Sequence, residues 1–431
     1  MSVTLNSDQQ AAADAFFEFL LNDDEPEIII SGPGGVGKTV LMGYLIDNII
    51  PQYLSTCKLM DIEPRYTDVE MTATTNKAAA VLGEATRRPT STIYSFLNLV
   101  VKNDYSTGRS SVRPSGNWRV HQNVIIFIDE CSYIDSDLLK YILQGTHECK
   151  IVYVGDHCQL APVMESLSPI YRRNLRMLEL KQPMRTTCPH LMGLNNQLRA
   201  SVESLVFNPI KIVPGIIDWL SDEEFEDEIA NNFQDPRHES RILAYTNERV
   251  LDFNDHIHDL RGNTQPYVVG ETLVSNSAIK IGSSGRLSIE QEVRIIGVGN
   301  TTELVQVGRD AQMTCVPVEF ESMYGVRYPI MKAPLDRNHF QDLIKYAGRQ
   351  KDWTTLFGLK EGYPDLRQRD ASTFHKSQGS SYQTVYIDAT NLSKMNKPDE
   401  AARALYVACS RARKRVCFHG SLTEKYGGLI R

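Results

Sequence analysis

Eight consecutive residues near the N-terminus have the composition of a phosphate-binding loop. They follow the apolar run from Glu27 to Ile30, precede a helix-forming segment and fit the pattern GxxxxGK[ST]. Glycines let backbone N–H groups approach phosphate oxygens, and the start of a helix adds positive charge. The sequence therefore predicts a site for a nucleoside triphosphate, with the lysine on the β- and γ-phosphates and the threonine hydroxyl on Mg²⁺. The eight residues are Gly32, Pro33, Gly34, Gly35, Val36, Gly37, Lys38 and Thr39.

Three polar residues that end two further apolar runs are candidates for the chemistry at such a phosphate. Asp129 and Glu130 end the run that starts at Val124, where Asp129 would hold Mg²⁺ through water and Glu130 would orient or deprotonate an attacking water. Gln159 follows the run from Ile151 to Val154 and could sense the γ-phosphate. Acids at a strand end are common, so these roles depend on the phosphate loop.

The elements that would position these residues alternate between β-branched runs and helical stretches, which indicates an α/β fold with a parallel sheet. Ligands bind such sheets at the carboxyl ends of the strands. Candidate strands are 27–30, 69–73, 124–128 and 151–154, and residues 98–122 predict an inserted hairpin. A second α/β signal begins at Arg241 and resumes after about residue 367, with a β-rich insertion at 262–366.

Composition excludes several classes of protein. The chain has 431 residues, 42% hydrophobic and 23% charged, and no run of about 18 uncharged apolar residues, so we expect no membrane partner and a cytoplasmic protein. The net charge of −7 requires any nucleic-acid contact to be local. The eight cysteines are scattered singly, so Cys131, Cys158 and Cys409 are predicted to fill the core, and no metal other than Mg²⁺ is expected.

Seven motifs, taken in order, resemble those of the superfamily 1 helicases. They are GPGGVGKT, TATTNKAAAVL, DECS, GDHCQLAPV, QPMR, ASTFHKSQGSSY and ALYVACSRAR. The resemblance is greatest to the RecD/Dda-like subgroup, which translocates 5′ to 3′, and it extends from residue 5 to 414. It suggests a phage or small-genome origin, in which case the protein would work in the host cytoplasm.

This resemblance implies two RecA-like P-loop NTPase domains, with a small hairpin insertion in the first and a β-rich, SH3-like insertion in the second. The first domain would cover residues 1–190, with the duplex-splitting hairpin at 98–122. The second would comprise 191–261 and 367–431, and the insertion 262–366 would close over single-stranded DNA. Trp118 or Tyr105 would lie at the tip of the hairpin.

The resemblance also implies ATP as the nucleotide. Gln9 matches the family's adenine-reading glutamine, whose amide can donate and accept. Arg185 and Arg411 match two arginines that reach the γ-phosphate, Arg411 from the second domain, so hydrolysis would depend on closure of the interdomain cleft. Val40 and Gly379 complete the predicted nucleotide contacts. The catalytic set is then Lys38, Asp129, Glu130, Gln159, Arg185 and Arg411.

Residues in four motifs match the family's contacts to single-stranded DNA. Short hydroxyl and amide groups hold phosphates without reading sequence, and aromatic rings stack on bases. Asn76 stands where part of the subgroup has a histidine, and Phe96 could equally be a core residue. The predicted contacts are Thr74, Thr75, Asn76, Lys77, Thr92, Tyr94 and Phe96 in the first domain, with Thr246, Asn247, Thr373, His375, Lys376 and Gln378 in the second.

The implied function is an ATP-dependent DNA helicase that moves 5′ to 3′ on single-stranded DNA and unwinds duplex DNA, with single-stranded and forked DNA as its partners. Replication, recombination or repair would be its setting, with replication or recombination proteins as partners, and a monomer would suffice for catalysis. Two alternatives stay open. The chain could be the DNA-stimulated motor subunit of a nuclease or recombination complex, or a nucleotide-switched DNA-binding protein. The intact catalytic set argues against the second alternative.

Overall fold

The computed structural model describes residues 4–162, 165–184, 188–281, 285–308, 311–323 and 325–430. Within these residues, no helix is long and apolar enough to cross a membrane. Clustering of backbone contacts divides the chain into two compact units. Unit 1 comprises Met1–Val100, Pro114–Trp219 and Ser377–Arg431, and unit 2 comprises Val101–Arg113 and Leu220–Lys376.

The described residues up to 220 form twelve strands and seven α-helices. The strands are β1 (Glu27–Ser31), β2 (Asp68–Ala73), β3 (Ser91–Thr92), β4 (Leu99–Asp104), β5 (Arg109–Pro114), β6 (His121–Gln122), β7 (Val124–Asp129), β8 (Thr146–His147), β9 (Lys150–Gly155), β10 (Arg176–Glu179), β11 (Ile210–Lys211) and β12 (Ile217–Leu220). The helices are α1 (Ser7–Leu21), α2 (Lys38–Tyr44), α3 (Ile50–Leu59), α4 (Asn76–Thr86), α5 (Ile93–Phe96), α6 (Ser136–Gln144) and α7 (Pro189–Ser204). A π-helical turn, Leu45–Ile49, joins α2 to α3.

The sheet of unit 1 has the order β10-β1-β9-β7-β2-β3, and all its pairings are parallel. Its central strands read as continuous apolar runs because helices cover both faces of such a sheet. The four strands predicted from sequence are all present, within one residue at each end. Phe16, Leu41, Phe127 and Val152 belong to the core that packs α1 and α2 against this sheet.

Unit 2 contains a further pair of parallel strands together with the β-rich segment. Its elements are α8 (Asp222–Asn232), β13 (Ser240–Ala244), α9 (Asn247–Leu260), β14 (Thr272–Ser275), β15 (Ile279–Ile281), β16 (Gly285–Leu287), β17 (Glu292–Val298), β18 (Glu303–Val307), β19 (Ala311–Ser322), β20 (Met331–Pro334), α10 (Arg337–Arg349), α11 (Trp353–Gly362), β21 (Leu366–Gln368), β22 (Ala371–Thr373) and α12 (Phe374–Ser377).

Within that segment, β14 and β17–β21 form an antiparallel sheet around an apolar core that includes Leu273, Val293, Val318 and Phe320. The segment is therefore β-rich as its sequence predicts, while its status as an inserted domain and its SH3-like character stay predictions. The hairpin of β4 and β5 also matches the sequence prediction, and its strands belong to unit 2 by contacts although the flanking chain belongs to unit 1.

The C-terminal residues return to unit 1. They form β23 (Tyr382–Asp388), α13 (Ala389–Leu392), α14 (Pro398–Ser410), β24 (Ala412–His419) and β25 (Leu429–Ile430). Strand β24 pairs in parallel with β23, and α14 packs along α7. The contact-based units thus group residues 377–431 with the first α/β segment, whereas the predicted domains group them with 191–261. Those domain boundaries stay a prediction.

Candidate nucleotide site

The phosphate loop connects β1 to α2, and its lysine lies across the loop. The Lys38 ammonium donates to the carbonyl oxygens of Gly32 at 2.7 Å and Pro33 at 3.1 Å. Gly37 adopts a left-handed conformation with φ of 81°, and a Cβ there would lie 2.6 Å from the Gln9 amide nitrogen. Only glycine fits this position, because a side chain would suffer both backbone strain and a clash. The loop therefore has the open, cation-bearing form that phosphate requires.

The acidic pair, Asp129 and Glu130, lies at the end of β7. Because the strands are parallel, this end is at the same edge of the sheet as the phosphate loop. The backbone N–H of Glu130 donates to Oδ1 of Asp129 at 2.9 Å, and Glu130 itself has a positive φ of 52°. Burial and the neighbouring Glu130 carboxylate raise the pKa of Asp129 to about 7, against the opposing effect of Lys38. A buried carboxylate of this kind gains from a nearby cation. With the Thr39 hydroxyl, it supplies the oxygen ligands that suit Mg²⁺.

Gln378 and Gly379 approach the acidic pair from the other end of the chain. The Gln378 amide nitrogen donates to Glu130 Oε2 at 3.3 Å and to the Ser132 hydroxyl at 3.2 Å. A Cβ at Gly379 would lie 3.8 Å from Glu130 Oε1. Gln378 is buried, so the structure brings this predicted DNA contact to Glu130, whereas the predicted nucleotide contact of Gly379 stays a prediction.

Of the two predicted arginines, Arg411 lies next to the phosphate loop. Its guanidinium is buried and donates to the carbonyl oxygens of Val407 at 3.1 Å and Ser380 at 3.3 Å. A Cβ at Gly34 would lie 3.8 Å from Nη2 of Arg411, so the cation is within van der Waals reach of the loop. Arg185 lies outside the described residues, and its predicted role stays a prediction.

Gln159 is buried in a loop that a network of ion pairs holds in place. Asp156, fully buried, accepts from Arg199 Nη1 at 2.6 Å and from the Tyr406 hydroxyl at 2.6 Å. These contacts lower the pKa of Asp156 although burial alone would raise it. Arg403 donates to the carbonyl oxygen of Gln159 at 2.7 Å. Sequence reasoning missed the roles of Asp156, Arg199 and Tyr406, because their spacing carries no pattern that joins them.

Gln9 reaches the loop from the first turn of α1. A reciprocal capping box fixes it, since Asn6 Oδ1 accepts from the Gln9 backbone N–H and Gln9 Oε1 accepts from the Asn6 backbone N–H. The Gln9 amide nitrogen donates to the carbonyl oxygen of Val36 at 3.2 Å. Val40 is exposed one residue beyond Thr39. The structure therefore brings the predicted adenine reader to the loop.

The predicted DNA contacts of the first α/β segment lie mostly at helix starts. Thr75 caps α4 and Thr92 caps α5, each accepting a backbone N–H at 3.1 Å. The Thr74 hydroxyl donates to the backbone carbonyl of Glu130 at 3.0 Å, which ties this motif to the acidic pair. The two residues that open α4 are exposed or half-buried: Asn76 and Lys77.

The two aromatic residues in this set are half-buried. Burial raises the pKa of Tyr94 to about 12. The ring of Phe96 stacks on His121 with centroids 3.9 Å apart, so one of its faces is already covered.

The DNA contacts predicted for the second domain differ in their exposure. Thr246 caps α9, which begins at Asn247, and His375 is exposed. Thr373 is buried, and its hydroxyl accepts the Lys376 backbone N–H at 3.3 Å.

The Lys376 ammonium already has an anionic partner. It forms an ion pair with Glu290 at 3.0 Å. Any phosphate contact by Lys376 must therefore compete with that carboxylate.

The two candidates for the hairpin tip have different positions. Tyr105 lies in the turn between β4 and β5, whereas Trp118 follows the hairpin and packs edge-on against Tyr141. Cys131, Cys158 and Cys409 are buried, as expected for core residues. Cys158 does lie with Asp156 and His157 in a cluster of residue types that can bind metals, and burial raises the pKa of its thiol.

Comparison with known proteins shows what this chain is similar to. The family model described as "AAA domain" matches residues 4–206, and the one described as "UvrD-like helicase C-terminal domain" matches residues 370–418. The chain is 24% identical to the ATP-dependent DNA helicase dda of Enterobacteria phage T4, over 92% of this chain and 95% of that protein. It is 22% identical to the uncharacterized protein R530 of Acanthamoeba polyphaga mimivirus, over 96% and 99%.

Solved structures share the fold. A Pif1 helicase from Bacteroides, solved with ADP-AlF3 and ssDNA, matches with a TM-score of 0.54 and 14% identity, covering 100% of this chain and 95% of that one. Pif1 from Candida albicans matches at 0.51 and 17%, covering 100% and 97%. The fold class is thus confirmed as α/β with two RecA-like P-loop NTPase domains. The chain is therefore similar over most of its length to the Dda helicase, and it shares the fold of the Pif1 helicases.

Proposed function

We propose that the protein is an ATP-dependent DNA helicase that translocates 5′ to 3′ on single-stranded DNA and displaces the complementary strand. The observation that carries this proposal is the assembly of Lys38, Glu130, Gln378 and Arg411 around one phosphate loop. A protein that only held a nucleotide would need neither a buried arginine beside the loop nor a second carboxylate next to Asp129. The similarity to Dda and Pif1 adds DNA as the substrate.

In this proposal Glu130 orients the attacking water and Lys38 neutralises charge on the β- and γ-phosphates. Thr39 and Asp129 would hold Mg²⁺, which would supply further charge neutralisation. Lys38 must leave the two loop carbonyls to reach the nucleotide, so the loop exchanges internal hydrogen bonds for phosphate contacts when ATP binds. Gln9 reads adenine, while Val40 and Gly379 line the site.

Coupling to DNA runs through Gln378 and the segment that carries it. Its amide bonds to Glu130, while two residues earlier Lys376 pairs with Glu290 in unit 2. A DNA phosphate that drew Lys376 away from Glu290 would move the segment from β22 to α12. Because Gln378 follows this segment directly, its amide would move as well. We infer that DNA binding thereby adjusts the hydrolytic carboxylate, which is how single-stranded DNA would stimulate turnover.

The hairpin of β4 and β5 serves as the wedge in this proposal. The Tyr105 ring at its tip packs edge-on against Phe357 of α11 with centroids 5.1 Å apart, and Asn103 bonds to Glu361 of the same helix. A wedge needs such support because strand separation loads its tip. Trp118 is then a packing residue at the base of the hairpin.

The domain organisation that goes with this function is a proposal as well. The first domain is 1–190, the second is 191–261 with 367–431, and 262–366 is the insertion that closes over single-stranded DNA. We infer replication, recombination or repair as the setting, the cytoplasm as the compartment and a monomer as the catalytic form.

Strand displacement on two partial duplexes tests this function. One duplex carries only a 5′ single-stranded tail and the other only a 3′ tail, both with ATP and Mg²⁺, and Lys38→Ala serves as the inactive control. We expect release from the 5′-tailed duplex alone. Release from the 3′-tailed duplex alone would keep the helicase and reject the direction.

If neither duplex opens while single-stranded DNA still stimulates ATP hydrolysis, the motor-subunit alternative replaces the proposal. If DNA leaves the rate of ATP hydrolysis unchanged, both the helicase proposal and the motor-subunit alternative are rejected. In that case the nucleotide-switched DNA-binding alternative is tested by measuring DNA affinity with and without bound nucleotide.

A further inference from the structure

Met184 occupies the space between the adenine-reading glutamine and the phosphate loop. Its sulfur lies 3.2 Å from the Gln9 amide nitrogen, and a Cβ at Gly37 would lie 2.8 Å from the same sulfur. Its backbone N–H donates to the carbonyl oxygen of Gly35 at 2.7 Å, so the main chain is anchored to the loop. The side chain is nevertheless 51% exposed. The main chain of Met184 is thus fixed to the loop, while its side chain is exposed and its sulfur contacts Gln9.

The hydrogen bonds of Gln9 show which contact an incoming base would replace. Gln9 is 0% exposed, and its Oε1 accepts from the Asn6 backbone N–H, which fixes the orientation of the amide. The amide nitrogen donates to the carbonyl oxygens of Val36 at 3.2 Å and Gly37 at 3.5 Å, and to the Met184 sulfur. A thioether is the weakest acceptor of the three. The Met184 contact is therefore the one that a base nitrogen can displace most easily.

We propose that Met184 is a specificity-determining residue of the nucleotide site, which covers Gln9 when the base pocket is empty and packs against the face of adenine when it is filled. A thioether is polarizable and adapts its shape, which suits it to a flat aromatic ring. The proposal rests on the proposed function, since it takes the loop to bind ATP.

In this proposal, the fixed amide of Gln9 would favour adenine over guanine. Gln9 presents a donor and an acceptor in fixed positions, and adenine offers N7 as an acceptor beside the N6 amino donor. Guanine offers two acceptors there, N7 and O6, so one of them would face the Gln9 carbonyl oxygen. Met184 strengthens this discrimination by holding the base in the plane of the amide.

Oxidation of individual methionines by dilute hydrogen peroxide, resolved by peptide mass spectrometry on the full chain, tests the proposal. Met60 is 61% exposed at the end of α3 and serves as the internal control. Saturating ADP should slow oxidation of Met184 about fivefold or more while leaving Met60 unchanged. Inorganic tripolyphosphate, which can fill the phosphate loop but not the base pocket, should protect neither.

Equal protection of Met184 by tripolyphosphate would overturn the proposal, because the residue would then respond to phosphate alone. No protection by ADP at a concentration that an independent binding titration shows to be saturating would overturn it as well. Failure of ADP to bind at all would instead reject the proposed function.

Two variants give a kinetic test that is independent of oxidation. Met184→Ala should lower the ratio of kcat/KM for ATP to that for GTP about tenfold, mainly through KM for ATP, because a pocket wall is lost. Met184→Leu keeps the apolar wall and should change the ratio less than about threefold. An unchanged ratio in Met184→Ala would reject the role in specificity.

Discussion

At the scale of single residues, the lysine of the phosphate loop is the most sensitive position. Its ammonium contacts two loop carbonyls and no apolar core, so Lys38→Ala should fold normally. We expect ATP turnover to fall at least about 100-fold because the charge on the transferring phosphoryl group loses its partner. Steady-state phosphate release with and without single-stranded DNA measures this. Near-normal turnover would reject the assignment of the phosphate site, and DNA binding should persist.

Arg411 should separate nucleotide binding from hydrolysis. We expect Arg411→Ala to bind ADP within about threefold of the parent protein while turnover falls about 1000-fold, as for arginines that stabilise only the transition state. Arg413→Ala, two residues away and exposed, is the matched control and should leave turnover nearly unchanged. An equal loss of binding and turnover in Arg411→Ala would mean that the guanidinium, which bonds to Val407 and Ser380, is structural.

The sequence names candidate residues where a local pattern carries the chemistry. Glycine spacing, strand ends and motif order, which are visible in one dimension, single out Lys38, Asp129, Glu130, Gln9 and Arg411, and their roles stay predictions. The bond from Gln378 to Glu130 could not be predicted, since it joins residues 248 positions apart. The same holds for the ion pair that Asp156 makes with Arg199, which depends on how α7 packs beside β9.

At the scale of elements, the turn of the hairpin should be sensitive to a single methyl group. Gly108 has φ of 70°, and a Cβ there would lie 2.3 Å from the Trp353 ring. Gly108→Ala should therefore shift the hairpin away from α11 and reduce strand displacement about tenfold, while DNA-stimulated ATP hydrolysis changes less than about twofold. Gly116→Ala is the control, because a Cβ at Gly116 meets no atom within 4 Å among the described residues.

The two measurements together decide the role of the hairpin. Equal losses of strand displacement and hydrolysis in Gly108→Ala would show that the hairpin is needed for the fold of unit 2. Unchanged strand displacement would show that the hairpin is not the wedge.

A buried histidine makes the stability of unit 2 depend on pH. His258 on α9 bonds to Glu271 at 3.2 Å and to the Gln265 carbonyl oxygen at 2.8 Å, and the Glu271 carboxylate raises the pKa of His258 above 6.5, against burial. Protonation is therefore stronger in the folded state. The extra stability should be complete below pH 6.5 and should disappear as the pH rises through the folded-state pKa.

Urea unfolding of His258→Gln between pH 5.5 and 8.5 measures this contribution. The variant should lose about 1–2 kcal/mol at the acidic end and less at the alkaline end, because a hydrogen bond to a charged group is removed. His256→Gln is the control, since His256 is more exposed and pairs with Glu226 on the surface. A loss that does not vary with pH would show that His258 acts through packing alone.

Helices and strands were predictable where the hydrophobic pattern is strong. The run that starts at Val124 forms the strand that its apolar pattern predicts. The six acids between Asp222 and Glu228 lie on the largely exposed α8, which Phe225 anchors. Helix α11 was not predicted. Its role is to pack against α10 and the hairpin, and such packing partners leave little trace in local sequence.

At the scale of the whole molecule, the net charge of −7 opposes binding to DNA at long range. Affinity must then come from local contacts to phosphates. We expect the logarithm of the binding constant for single-stranded DNA to fall linearly with the logarithm of salt concentration, with a slope of about −0.7 for each phosphate neutralised. Titrations on oligonucleotides of different base composition should agree within about threefold. Strong base selectivity would contradict a grip made of backbone contacts.

The π-helical turn at Leu45–Ile49 makes the protein sensitive to the deletion of a single residue there. A π turn holds one residue more than an α turn, so the chain beyond it is rotated by about 100° compared with an uninterrupted helix. With that rotation, Ile50, Tyr53 and Cys57 face the same core as Leu41 and Leu45. Deleting the exposed Asn48 would straighten the helix and turn those three side chains toward water. Deletion of this one codon should therefore destabilise unit 1 even though the residue that it removes is exposed.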